Sequence, residues 1–192
     1  MKFVIKFDIL SFTLALLSVM VAAYLYVVVQ FQLALVPLVL LLAGMMFSYI
    51  MSPGEVDQEL EESLQQKNIM YTGLALLSFA VFSFVIKFLP LSVQNLSVVD
   101  AMLLGVLMAV SEEYFFRGAI TQFFMTRFSE PVAVVMSGII FAAYHTAVYG
   151  QMITSLVYAA LAGMVLSYIF VKTKSLTPTI LAHVVNNLLA VI

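Results

Sequence analysis

The sequence contains no cysteine and only two histidines, and just nine per cent of its 192 residues carry charge. Without cysteine there is no disulfide, no thiol nucleophile and no thiolate metal ligand, and nothing marks the redox compartment. The formal net charge of −2 lacks the basic excess that a nucleic-acid partner demands. What the chain has instead is apolar surface. Sixty-four per cent of its residues are hydrophobic, far above the soluble range, and a water-soluble domain of this length could not hide them. Lipid must be the solvent for most of the chain.

A hydrocarbon core of ~30 Å needs about 20 apolar residues per helix. The first apolar run covers 9–29. Lys2 and Lys6 precede it as in a signal peptide, but the run is long and lacks a small-residue cleavage site, so it reads as an uncleaved first span. Gln30-Phe31-Gln32 makes a tight polar break before a second run over 33–51, which stops at Ser52-Pro53-Gly54. Residues 55–68 are acidic, with Leu60 and Leu64 one turn apart, as suits a short interfacial helix. A third run covers 69–89, a fourth 98–128, a fifth 131–149 and a sixth 152–171. Thr177 offers an N-cap and Pro178 a first-turn residue for the last helix. The expected fold is all-α, a polytopic transmembrane helix bundle of about seven spans, six to eight depending on splitting. Residues 1–97 form N-terminal transmembrane helices with an acidic interfacial loop at 52–68, and residues 98–192 form a second, polar-bearing core, both within one integral membrane domain. Lys2, Lys6, Lys67, Arg127, Lys172 and Lys174 all fall on one side and Lys87 alone on the other. The positive-inside rule therefore places the N-terminus in the cytoplasm of a multi-pass protein in the cell membrane.

Most charges lie in loops; Glu112, Glu113 and Arg117 lie in the middle of the fourth run. An ionised group at the bilayer centre costs roughly 2.5–3.5 kcal/mol, so three together must pair or protonate. Glu113 and Arg117, four apart, can form an ion pair on one helical face. Glu112 then points about 100° away with no local partner, in a setting suited to a general base. The two histidines, His145 and His183, also fall in apolar runs, and His183 shares a face with Asn187 and nearly with Asn186. Apolar helices can bury such groups only by turning them toward one another or into a wet cavity. Singly, each His or Asn could be an interhelical hydrogen-bonding group, and Glu113–Arg117 a structural pair. Adjacent glutamates are harder to explain structurally, so the set reads as a site.

Inventory narrows the chemistry. No His-Glu-x-x-His occurs, which removes the helical zincin arrangement. Asp8, Asp57 and Asp100 stand apart, which removes an aspartyl dyad. A serine mechanism would use Ser137-Gly138 with a histidine and would leave both glutamates unexplained. Buried Glu, Arg and His could alternatively form the pathway of an ion- or proton-coupled transporter, or belong to a non-catalytic immunity or binding protein.

Glu112-Glu113 followed by Arg117, then Phe141-x-x-x-His145, then His183-x-x-x-Asn187, resembles the CPBP or Abi family. That family comprises CAAX prenyl proteases and bacteriocin-processing or self-immunity proteins. The resemblance covers residues 98–192 and implies an intramembrane endopeptidase. Carried over by position, Glu112 would activate water, His145 would assist it or polarise the carbonyl, and His183 with Asn187 would stabilise the oxyanion. Glu113, Arg117, Phe141 and Asn186 would support them. A zinc ion or another divalent metal on Glu112, His145 and His183 is a possible cofactor under this resemblance, but a metal-free, glutamate-driven mechanism is favoured. The implied partner is a membrane-associated or secreted peptide or protein, in some members lipidated. Peptide processing or self-immunity is preferred over CAAX-type C-terminal processing. One geometric demand follows from the predicted topology. His145 lies near the outer face and His183 two turns from the inner one, so they meet only if residues 174–178 dip into the bilayer or the boundaries shift.

Overall fold

The structure, a computed structural model, describes residues 9–51, 96–149 and 153–191. Among them all regular structure is helical. The expected interfacial helix in 55–68 and the run over 69–89 lie outside the described residues. Helix α1 (Ile9–Val27) leads through a 3₁₀ turn (Gln32–Ala34) into α2 (Leu35–Met51). Gln30 takes a left-handed conformation, φ 56°, where the polar break reverses the chain. Helix α3 (Val98–Glu112) runs directly into a π-helical segment (Glu113–Thr121) and then α4 (Gln122–Arg127). Helices α5 (Glu130–Tyr149), α6 (Ile153–Thr173) and α7 (Thr177–Val191) complete the order.

The burial pattern is that of a protein dissolved in lipid. Helix α1 buries Ser11, Ala15, Ser18, Ala22 and Leu25, a stripe of mostly small residues at three- and four-residue spacing that lets helices approach closely. Its large side chains, Leu16, Leu17 and Met20 among them, point outward. Among the described residues, three helical stretches, Ile9–Val27, Gln32–Ile50 and Ile153–Thr173, are long and apolar enough to cross a membrane. The π-helical segment is the opposite case, because all nine of its residues are buried. It is the axle of the bundle. Gly44 of α2 lies so close that a Cβ there would stand 2.5 Å from the backbone of Tyr114 and Phe115. Ala15 and Leu41 from the first half share one apolar core with Val110, Tyr114, Phe170 and Ile180 from the second.

Helix starts follow local capping. Ser97 accepts from the Asp100 amide at 3.1 Å, so α3 begins at Val98. The last helix starts slightly earlier than expected. Leu176, not Thr177, is the boundary residue, because its carbonyl takes the first helical bond from Ile180 at 2.9 Å. Thr177 is instead the first helical residue, its amide donating to the Ser175 hydroxyl at 3.3 Å.

The connector before α7 turns one side chain, that of Leu176, into the core. Lys174, with φ 54°, ends α6, and Leu176 is buried in the core. A Cβ on Gly118 would lie 3.7 Å from Leu176 Cδ1. Leu176 therefore packs against the π-helical segment, while Lys172 just before the connector pairs with Glu130 at the start of α5. From the connector α7, at ~22 Å for fifteen residues, carries His183 up to Glu112.

Candidate functional site: two glutamates and two histidines on three helices

The site grows from the junction of α3 and the π-helical segment. Glu112 ends the first and Glu113 begins the second. The expected ion pair is present, with Arg117 Nη1 3.0 Å from Glu113 Oε1 and both side chains fully buried. A buried pair is stable only where its remaining donors are also met. Arg117 Nη2 donates to the Gly163 carbonyl at 3.1 Å, and the guanidinium carbon stands 4.6 Å above the Phe141 ring. Helix α6 can present that carbonyl so closely because Gly163 and Gly138 face each other. A Cβ on Gly163 would sit 3.0 Å from the Gly138 Cα.

Two imidazoles close over the second carboxylate. His183 Nδ1 lies 2.8 Å from Glu113 Oε1, and His145 Nδ1 lies 2.9 Å from the Phe141 carbonyl oxygen. Both partners are acceptors, so both Nδ1 atoms carry hydrogen. Each ring then turns Nε2 toward Glu112, at 3.6 Å from Oε2 for His183 and 3.9 Å for His145. These separations exceed a direct hydrogen bond. Phe141 packs between the components, its ring centroid 4.4 Å from that of His145 and 5.9 Å from that of His183. Glu112, Glu113, Arg117, Phe141, His145 and His183 are therefore brought together.

The two asparagines lie apart from this cluster. Asn187 Nδ2 donates to the Gly105 carbonyl at 3.1 Å, seven residues before Glu112 and so about two turns along α3. Asn186 Nδ2 approaches Asn187 Oδ1 at 3.4 Å, and Asn186 accepts a short bond from the Tyr158 hydroxyl. Ser137 faces Thr121 Oγ1 at 2.7 Å and Ser167 Oγ at 3.0 Å, a placement that does not favour its use as a nucleophile. Glu112, His145 and His183 supply the donor types of a divalent-metal site. However, no group of three His, Asp or Glu side chains among the described residues is arranged to hold a metal.

Two links were not foreseen from the sequence. Glu113 is bound to His183 as well as to Arg117, so the supporting carboxylate orients a histidine. Tyr144 is buried and packs edge-on against His145, with centroids 5.1 Å apart. A signal for Tyr144 was available. Phe141, Tyr144 and His145 stand at i, i+3 and i+4 and so share one helical face.

The family model of the Type II CAAX prenyl endopeptidase Rce1-like proteins matches residues 93–189. The chain belongs to this family, and is thereby a membrane protein of the CAAX protease class. Comparisons with curated proteins and with solved structures found no match.

Proposed function

We propose that the chain is a multi-pass endopeptidase of the cell membrane that hydrolyses a peptide bond with water activated by Glu112. The observation that carries this reading is the convergence of His145 Nε2 and His183 Nε2, from separate helices, on Glu112 Oε2. A water bridging these atoms gives its proton to Glu112 as its oxygen attacks the scissile carbonyl. The tetrahedral oxyanion is met by a protonated imidazole. His183 is the better placed, because Glu113, anchored by Arg117, stands behind its Nδ1–H and supports positive charge on the ring. His145 holds the water, and Glu112 then passes its proton to the leaving nitrogen. Asn187 lies one turn beyond His183 and is bound to Gly105, so it acts as a further donor on the oxyanion side only by giving up that bond.

The family favours CAAX-type C-terminal processing as the substrate class, with secreted-peptide processing or bacteriocin self-immunity as the alternative setting. The same reading has about seven spans with the N-terminus in the cytoplasm, and a C-terminal tag reporting cytoplasm would overturn that orientation. It is metal-free: stoichiometric zinc with reversible loss of activity on chelation would overturn this part. The functional test compares protein termini in membranes of cells expressing wild type and Glu112→Gln. New termini confined to wild type are expected; identical termini at equal expression, together with ion flux in liposomes, would replace the protease by a transporter.

A further inference from the structure

We infer that Tyr158 is a positioning residue for Asn187, acting through Asn186 so that the Asn187 amide turns its nitrogen, and not its oxygen, toward a substrate oxyanion. The inference rests on the reading of Asn187 as a donor on the oxyanion side, and deepens it. Three hydrogen bonds in series join α6, α7 and α3. The Tyr158 hydroxyl donates to Asn186 Oδ1 at 2.5 Å, Asn186 Nδ2 to Asn187 Oδ1 at 3.4 Å, and Asn187 Nδ2 to the Gly105 carbonyl at 3.1 Å. The last link forms because α3 and α7 are close there: a Cβ on Gly105 would lie 3.5 Å from the Asn187 Cβ.

The direction of the series is fixed from both ends. A backbone carbonyl only accepts, so Asn187 must face Gly105 with its nitrogen and Asn186 with its oxygen. Asn186 must then offer its nitrogen to Asn187, which leaves its own oxygen for the Tyr158 hydroxyl. Asn187 stands one helical turn beyond His183 and shares its face. To meet an oxyanion beside His183 it gives up Gly105, and with that bond goes the restraint on its nitrogen. The restraint on its oxygen, through Asn186, is then what orients it. An amide released at both ends could turn over about its terminal bond and present an oxygen lone pair to the anion, a repulsive arrangement. Held at Oδ1, it pivots and still presents N–H. Asn186 is exposed, and the Tyr158 hydroxyl is what keeps its oxygen turned away from Asn187. Interhelical glue needs only the Tyr158–Asn186 pair; the continuation to Asn187 ties that pair to the site.

Tyr158→Phe removes the hydroxyl and keeps the ring. The substrate-independent readout is the side-chain amide NMR spectrum of protein carrying isotope-labelled asparagine in detergent micelles, with the Asn187 signals identified by their loss in Asn187→Ala. In Tyr158→Phe the Asn187 signals are expected to shift or broaden together with those of Asn186. The second readout is cleavage of a farnesylated peptide ending in a CAAX sequence. Here kcat is expected to fall about 3- to 10-fold with KM unchanged, because the restraint acts on the transition state and not on bound substrate. In an Asn187→Ala background the same substitution is expected to cost nothing further. Asn187 signals unmoved by Tyr158→Phe overturn the proposal, as does an unchanged kcat or a loss that adds in full to that of Asn187→Ala. Absence of cleavage by wild type counts against the protease reading alone, because the amide spectrum still decides whether Tyr158 orients Asn187.

Discussion

Within ten residues of one continuous helix the chain buries two polar clusters of different kinds. The lower one joins Thr121, Ser137 and Ser167 from the π-helical segment, α5 and α6. It is closed: the Thr121 hydroxyl donates to the Phe116 carbonyl at 2.9 Å, and the serine hydroxyls lie within bonding distance of it and of each other. The upper cluster joins Glu112, Glu113, Arg117, His145 and His183. Half of it is paired, around Glu113, although Glu113 Oε2 and Arg117 Nε are buried without a hydrogen-bond partner. The other half is open, because the imidazoles approach Glu112 at 3.6 and 3.9 Å without bonding it. Helices in lipid use small hydroxyls as neutral glue. Ionisable groups brought together and left short of contact are costly in the same medium, and this cost points to chemistry.

The contrast can be broken by substitution. Glu112→Gln is isosteric and should lower hydrolysis about 10²–10⁴-fold, the range of a general base, with little change in stability. A wild-type rate would remove the open cluster from the mechanism. Arg117→Met should be nearly as severe, but in stability. It strands Glu113 in the core, and breaking one side of a buried pair costs about 3–5 kcal/mol, read as a lower melting point in detergent. An unchanged melting point would mean that the paired half does not hold the helices.

Gly138→Ala sharpens the comparison at the seam between the clusters. Its new Cβ would stand 2.4 Å from Met164 Cγ and 2.8 Å from the Ala160 carbonyl. Overpacking of about 1–3 kcal/mol should follow, with a loss of activity as Gly163 draws away from Arg117. A melting point unchanged from wild type would contradict it. Ser137→Ala should have the smallest effect. An interhelical bond in lipid is worth about 0.6 kcal/mol on average, and catalysis should be untouched. Loss of activity comparable to that of Glu112→Gln would instead make Ser137 the nucleophile.

Much of the site was legible because membrane sequences are sparse in polar groups, and each exception stands out. Glu112, Glu113, Arg117, His145 and His183 were found in this way, and the i,i+4 pairing of Glu113 with Arg117 is observed. Among the described residues the helix limits were also close, since the apolar runs are cut by Gln30, Ser97 and Lys174. What could not be read was interhelical register. Nothing local tells that His183 Nδ1 meets Glu113 rather than Glu112, or that Asn187 reaches Gly105. The π-helical geometry was hidden as well, because residues 113–121 carry no proline or other mark against an ordinary α-helix. Thr121, Ser137 and Ser167 are ordinary in composition, and only their convergence makes a cluster. A dip of residues 174–178 was expected from a conflict of depths; what is observed is a buried Leu176 side chain, with Lys172 paired to Glu130 at the helix ends.

The most direct measurement is hydrolysis of a farnesylated CAAX peptide by purified wild type, Glu112→Gln and Ser137→Ala in liposomes, at matched melting points. Cleavage by wild type and Ser137→Ala, with Glu112→Gln silent, is the predicted result. Cleavage by Glu112→Gln at the wild-type rate would contradict the assignment of the base, and with it the account of the open cluster.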